Sequence, residues 1–536
     1  MTEDKKLIDM ANVREAWVLF ILFGLAVAVR LYLAFHTYVI ANDGVLYIKL
    51  AQLLSQGKVG EAMSLHLPSL FPIIIASFQK VFVDWELSGQ MVSVLFGSLT
   101  IIPFYFLTKE LFNRNVAFTS SILFIFHPYL VRFSAEVIKE PTFWFFSLMG
   151  IWVGWNAITL KKVWLFVLTG LLGIASFLLR IEGFVIFPII IAWIFLKEIK
   201  LLRSTYKQRI LYTLVLCLTL AIILSPAMLY IKEKTGSWNL ARIELVSEMV
   251  QADVMMYEIK KNLDKVKFSS ESGDQRQADF EAIRLRGFLS LAKDHRIAII
   301  WFEAISKFFK VIHPVLIIPL FFGIMRRKKI KYRKEEELFL LSVFTIFFLI
   351  LIRYGTIRAY IGTRHMVIPA LVCLPWVGVG VLELGDCIRS IFLSKKANEN
   401  ANIFLRNVGW FLMFLIALLL LPQTLAPQRA EKILLKEAGI WIRQHGPKDP
   451  VVMTPNHLRR IAFYANGIFL EIPGNQDLAK YAKEKRVDFL AVDKKDIEQD
   501  PLTLLESLKP EHFREEVVIG KPSEPYEIKV YSMKKF

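Results

Sequence analysis

Only three cysteines occur in 536 residues, Cys217, Cys373 and Cys387, and no two stand at the spacing of a metal-ligand pair. That scarcity excludes a disulfide framework and a thiolate metal site. Also missing are a Gly-rich phosphate loop, an internal repeat and a low-complexity linker. Charge is sparse as well: 21% of residues are charged against 55% hydrophobic, with 43 Phe, and the mean hydropathy is +0.46. A soluble chain of this length cannot bury so much apolar surface, so lipid must cover part of it. The net charge of +18 comes with no nucleic-acid motif, and its basic residues fall in short clusters between apolar runs. That is the positive-inside pattern of a membrane protein rather than a nucleic-acid surface.

Spans need about 20 mostly apolar residues to cross the hydrocarbon. Eleven stretches qualify, at 16–40, 87–107, 115–133, 140–159, 163–180, 183–196, 210–230, 299–323, 338–354, 366–386 and 408–424. Lys5, Lys6 and Arg14 precede the first, and no small-residue cleavage site follows it, which predicts an uncleaved first helix. With eleven spans, the clusters at Lys109/Arg114, Lys161/Lys162, Lys197–Arg209, Arg326–Lys329 and Lys395–Arg406 share the N-terminal side. That side is then cytoplasmic. The other side receives loops 41–86 and 231–298, the shorter turns between spans, and the tail from Leu425. Helices are expected at 240–262 and 276–294. The tail reads as a small α/β domain, with strands at 451–454, 488–492, 516–519 and 528–531 and helices at 429–444, 457–465 and 476–485. The expected architecture is a polytopic α-helical membrane domain over 1–424 and an extracytoplasmic α/β domain over 425–536.

The charged residues at the outer ends of the spans are the functional candidates, because a carboxylate at a helix mouth is costly unless solvated or paired. Asp43 follows the first span, with Tyr47 one helical turn on. His66 lies before the Pro68/Pro72 turn. Arg132, Glu136, Lys139 and Glu140 cluster ahead of Pro141, and Arg180 and Glu182 interrupt an apolar stretch. Arg353, Arg358, Arg364 and His365 crowd a loop on the side where few cations are expected. Each has a plainer reading. Asp43 is a suitable N-cap. Glu140 before proline suits the positive end of a helix. Arg180 and Glu182 could simply mark a hairpin turn, and the basic loop could anchor at the interface. Arg30, in the outer half of the first span, is expected either to snorkel or to pair with a buried carboxylate, with pairing favoured.

Asp43 with Tyr47, the Pro68/Pro72 turn, Glu140-Pro141 and Arg364-His365-Met366-x-x-Pro369 resemble the GT-C superfamily of integral membrane glycosyltransferases. Within it the pattern is most like family 39, the dolichyl-phosphate-mannose–protein mannosyltransferases and aminoarabinose lipid A transferase (ArnT)-like proteins. The resemblance covers roughly residues 16–375. Where that family carries an Asp-Glu pair, Gly44 stands in place of the Glu. The resemblance implies a polyprenyl-phosphate sugar donor, inversion at the anomeric carbon, and a lipid, glycan or protein acceptor outside the cytoplasm. Asp43 would be the base and Glu140 would orient the acceptor or support Asp43. Arg358, Arg364 and Arg180 would bind phosphate, with Tyr47, His66, Arg132, Glu136, Lys139, Glu182 and His365 lining the substrate site. A monophosphate donor demands no cofactor, though Asp43 with Glu140 or His66 could hold a divalent metal if they converge. A transporter of lipid-linked glycans is the alternative; it would more often show repeated halves and helices broken at mid-membrane. An assembly factor would leave the interfacial charges unexplained.

Overall fold

The computed structural model describes residues 3–65, 69–196, 205–235, 296–326, 334–358, 361–392, 407–473, 478–494, 512–520 and 527–533. The helices expected at 240–262 and 276–294, and His66, lie outside them. The protein is a multi-pass helical membrane protein with a small sheet near its C-terminus. Six helices are long and apolar enough to cross a membrane, or eight if two bent pairs each count as one span. The expected spans at 163–180, 183–196 and 408–424 are apolar helices too, at Val163–Leu179, Ile181–Phe195 and Val408–Thr424, but each is shorter than 18 residues. The expected span at 299–323 is not straight. It bends by 99° between Ile312 and Pro314, because a residue before proline is steered out of the helical region, and His313 there adopts φ 78°.

Helix α1 (Glu3–Phe35) and helix α2 (Asn42–Ser55) are joined by a six-residue connector, 36–41. In the N-terminal half of α1, Glu15 accepts from Lys109 Nζ at 2.6 Å and Tyr105 at 3.2 Å, which ties α1 to the helix Ile101–Leu111. At the other end, α1 runs into residues 36–41, of which Val39, Ile40 and Ala41 are buried. Gln428 of the tail seals this connector: its N–H donates to His36 O at 3.0 Å, and Tyr38 N–H donates to Gln428 O at 3.1 Å.

The tail folds into a five-stranded sheet: β1 (Val451–Thr454), β2 (Ile468–Glu471), β3 (Phe489–Asp493), β4 (Phe513–Ile519) and β5 (Ile528–Met533). The order is β2-β1-β3-β5-β4, with β2, β1 and β3 parallel and β5 and β4 antiparallel. Strand alternation sends Val452, Phe489 and Ala491 to one face, where they pack with Leu435, Ala438 and Ile442 of the helix Ile433–His445. Met453, Leu490 and Val492 go to the other face, against Leu478, Phe513 and Tyr531. Strand β3 is therefore buried throughout and reads as an unbroken apolar run, as parallel strands do when both faces are covered. Strand β2 is not among the expected strands: it is a four-residue edge strand, exposed at both ends.

Arg30 departs from the expected pairing. It is fully buried, donates from Nη1 to Ala26 O at 3.2 Å, and lies over the Phe124 ring at 4.9 Å. No carboxylate reaches it among the described residues. A cation–π contact and one carbonyl take the place of the ion pair.

Candidate active site

Neither carboxylate at the centre of the site caps a helix. In α2 the cap position is Ala41, and no side chain makes a cap hydrogen bond. Asp43 instead accepts at Oδ2 from Arg364 Nη1 and faces Arg459 Nη2 across 3.9 Å at Oδ1. The helix Glu140–Leu160 likewise starts without a side-chain cap. Its Glu140 Oε1 accepts from Arg180 Nη1 at 2.8 Å and stands 3.5 Å from Arg364 Nε. Arg364 thus spans the two carboxylates with one guanidinium. Arg180 extends the chain of charges, donating from Nη2 to Glu182 Oε1 at 2.6 Å. The run Asp43–Arg364–Glu140–Arg180–Glu182 joins four helix ends that are separate in sequence.

Burial is graded along this run. The side chains of Glu140 and Glu182 are 2% and 4% exposed, whereas those of Asp43 and Arg364 are each 37% exposed. The deep end is structural in character and the Asp43 end is open to a ligand. Burial alone would raise the Asp43 carboxyl, but Arg364, Arg459 and Lys139 outweigh it and hold Asp43 below the usual carboxylate range. Tyr47 is buried on α2, and burial, reinforced by Glu140 and Asp43, pushes its phenol well above the ordinary value. Tyr47 therefore serves as a neutral hydroxyl, with Phe71 edge-on at 5.3 Å and Lys139 Nζ 5.9 Å from its ring centroid.

The charges at the deep end line a cavity of about 10 Å³ bounded by Glu140, Trp144, Arg180, Glu182, Arg364 and His365, room for about one water. Glu140 Oε2 is buried and has no hydrogen-bond partner among the described residues. His365 accepts from Gly362 N–H at Nδ1 (3.2 Å) and meets the Tyr354 ring edge-on at 5.0 Å. Glu140→Gln is expected to weaken the hold on Arg364 and lower turnover by about tenfold to a hundredfold. Equal kcat/KM for the variant and wild type would show that Glu140 does not position Arg364.

Gly44 is explained by a close approach. A Cβ there would lie 2.9 Å from Val137 O and 3.0 Å from Val137 Cβ, so no side chain fits between α2 and the turn leading to Glu140. The tight seat holds Asp43 and Glu140 within reach of one arginine. Gly44→Ala gains about 1 kcal/mol of helix propensity, but the overlap costs about 1–3 kcal/mol. We expect Tm to fall slightly and turnover to fall strongly; an alanine variant as active as wild type would refute the seat.

Other expected residues are placed elsewhere. Glu136 is buried but accepts from Arg429 Nη2 of the tail at 2.5 Å, with Arg132 Nε at 3.6 Å. That group fastens the connector, since Arg429 Nη1 also donates to Val39 O at 3.2 Å. Arg358 is the last residue of the helix Lys334–Arg358, and its side chain is not among those described. Arg459, Arg429 and Tyr464 had no signal in the sequence reading, and all three come from the tail. Tyr464 donates to Glu86 Oε1 at 3.0 Å and accepts from Ile40 N–H at 2.8 Å. Among the described residues no three His, Cys, Asp or Glu side chains gather as a metal site; Asp43 and Glu140 converge on a guanidinium.

Residues 66–230 match the family profile described as dolichyl-phosphate-mannose-protein mannosyltransferase, a stretch that includes Glu140, Arg180 and Glu182. No curated protein sequence matches the chain. ArnT from Cupriavidus metallidurans in the apo state superposes with a TM-score of 0.54 at 12% identity, covering 97% of this chain and 98% of that one. The same protein bound to undecaprenyl phosphate gives 0.52 at 12% identity, over 96% and 98%. An oligosaccharyltransferase from Archaeoglobus fulgidus, with Zn and sulfate, gives 0.48 at 12% identity over 95% and 72%, too loose to argue from. The chain thus shares the overall fold of the Cupriavidus metallidurans ArnT structures.

Proposed function

We propose that this protein is an inverting membrane glycosyltransferase that moves a sugar from polyprenyl phosphate to a lipid, glycan or protein acceptor at the extracytoplasmic face of the cell membrane. The observation that carries the reading is Arg364, which holds Asp43 and Glu140 on one guanidinium at the open end of the charged run. Support comes from the fold, since ArnT from Cupriavidus metallidurans was crystallised with undecaprenyl phosphate, and from the mannosyltransferase match over residues 66–230.

In this reading the acceptor hydroxyl oxygen attacks the anomeric carbon from the face opposite the phosphate. The new carbon–oxygen bond forms as the sugar–phosphate bond breaks, the hydroxyl proton passes to the Asp43 carboxylate, and the electron pair leaves on the phosphate. Arg364 meets that developing charge, and a guanidinium fork matches phosphate oxygens. Arg180 remains bound to two carboxylates and sets Glu140 rather than touching the donor. No metal is needed for this sequence of events.

The test uses purified protein in detergent, radiolabelled polyprenyl-phosphate sugars and a membrane extract of lipids and glycans. Label passing to a new product with wild type, but not with Asp43→Asn, supports the transferase. Label that stays on the donor with every extract, while liposomes show the donor crossing the bilayer, overturns it in favour of transport.

A further inference from the structure

The C-terminal domain does more than sit on the membrane domain: it touches the segment that carries Asp43 at five points, the longest being Lys436 Nζ donating to Tyr38 O at 3.4 Å. Gln428 forms a two-bond bridge with residues 36–38. Tyr464 accepts from the Ile40 N–H. Arg429 reaches Val39 O. Arg459 donates to Asn42 O from Nε at 3.0 Å and again from Nη2, while Nη2 lies 3.9 Å from Asp43 Oδ1. These contacts join residues 390 to 424 positions apart in sequence. Arg459 has its place because it follows β1, at the carboxyl end of a parallel strand flanked by β2 and β3. In such sheets the strand order reverses at that point and the following loop projects away from the sheet. Here the loop meets the mouth of the membrane site.

We infer that Arg459 is a positioning residue for Asp43, through which the C-terminal domain fixes the base and its backbone in register with Arg364. The inference rests on the transferase reading for its kinetic consequence, but its structural half stands apart from it. Fork geometry matters. Two N–H groups of one planar guanidinium converge on a single carbonyl, which pins Asn42, and the same group presents positive charge to the next residue. A lysine could supply the charge but not the fork. The other groups facing Asp43 are Arg364, Lys139 and, at longer range, Glu140 and Tyr47. None of them holds the connector backbone as Arg459 does. Removing Arg459 takes away one of three cations that keep the carboxyl ionised, so the acid limb of the rate profile must move to higher pH.

The experiment compares full-length wild type, Arg459→Ala, Arg459→Lys and Asp43→Asn in detergent with a polyprenyl-phosphate sugar. It records kcat, donor KM, the pH profile and hydrogen exchange at the Tyr38 and Ile40 amides, which the tail protects. For Arg459→Ala we expect kcat to fall by about a hundredfold, donor KM to hold, the acid limb to shift upward, and both amides to exchange faster. Arg459→Lys should restore the acid limb but not the amide protection; if the alanine variant does not fold, this split alone decides. A raised donor KM with unchanged kcat, acid limb and exchange would overturn the inference and make Arg459 a donor contact. No transfer by wild type would instead sink the transferase reading, and wild-type turnover in Asp43→Asn would remove Asp43 as the base, while unchanged exchange in both Arg459 variants would sink the clamp whatever the kinetics show.

Discussion

Asp43→Asn is expected to cut sugar transfer by about 10²–10⁴-fold, the usual contribution of a positioned base, while leaving the fold and donor binding in place. Asparagine keeps the shape of the side chain and can still accept from Arg364, but it cannot take the acceptor's proton. The exchange is structurally mild because the Asp43 side chain is 37% exposed, and a partly solvated ion pair contributes little to stability. A carboxyl held low by Arg364, Arg459 and Lys139 is a weak base as it stands. Donor phosphate competing for Arg364 removes the largest of these restraints, so Asp43 becomes more basic when there is a proton to accept. The pH consequence has a definite sign: Asp43 is ionised above its folded pKa, which lies below the ordinary carboxylate value, so activity persists into mildly acidic solution and falls only beneath that value. Turnover near wild type in the asparagine variant, or an acid limb above the ordinary carboxylate range in wild type, would each remove Asp43 as the base.

The carboxylates and the arginines of the membrane domain were legible because an ion among apolar residues stands out. Asp43, Glu140, Arg180, Glu182 and Arg364 each break or border an apolar run, and the structure gathers all five. Their pairing was not legible. Nothing in the spacing indicates that one guanidinium meets both Asp43 and Glu140, or that Glu136 turns instead to Arg429. The tail's contribution was invisible for a different reason: in a domain whose composition looks soluble, Arg459 reads as one more solvated surface charge. Its partner Asn42 lies 417 positions away, where no local rule reaches. Gly44 was visible as a departure from the family's Asp-Glu pair, yet its cause, the backbone of Val137 against α2, required the packing. Arg30 shows the limit of charge reasoning. A buried cation suggested a buried anion, and the chain supplied an aromatic face and a carbonyl.

Arg180→Ala is expected to destabilise the protein by about 3–5 kcal/mol, the cost of stripping one partner from a buried ion pair. Arg180 has its donors on two carboxylates that are 2% and 4% exposed, and its guanidinium lies 5.8 Å from the Phe143 ring centroid. With alanine there, Glu182 loses the guanidinium that holds it, and Glu140 keeps only the Arg364 contact at 3.5 Å. Arg364 would then be drawn deeper toward Glu140 and away from Asp43, so activity should fall along with the thermal midpoint. Lysine should recover part of the stability, because one ammonium can neutralise the pair but cannot fork between two carboxylates. The informative comparison is Arg180→Met combined with Glu140→Gln and Glu182→Gln, which removes the cation and both anions together. If burial of unpaired charge is the cause, this triple variant should melt closer to wild type than Arg180→Ala does, yet transfer sugar no better, because Arg364 has lost its second carboxylate. A melting temperature for Arg180→Ala equal to wild type would mean that Glu140 and Glu182 find other partners or bind protons without cost, and the charged run would no longer account for the rigidity of the site.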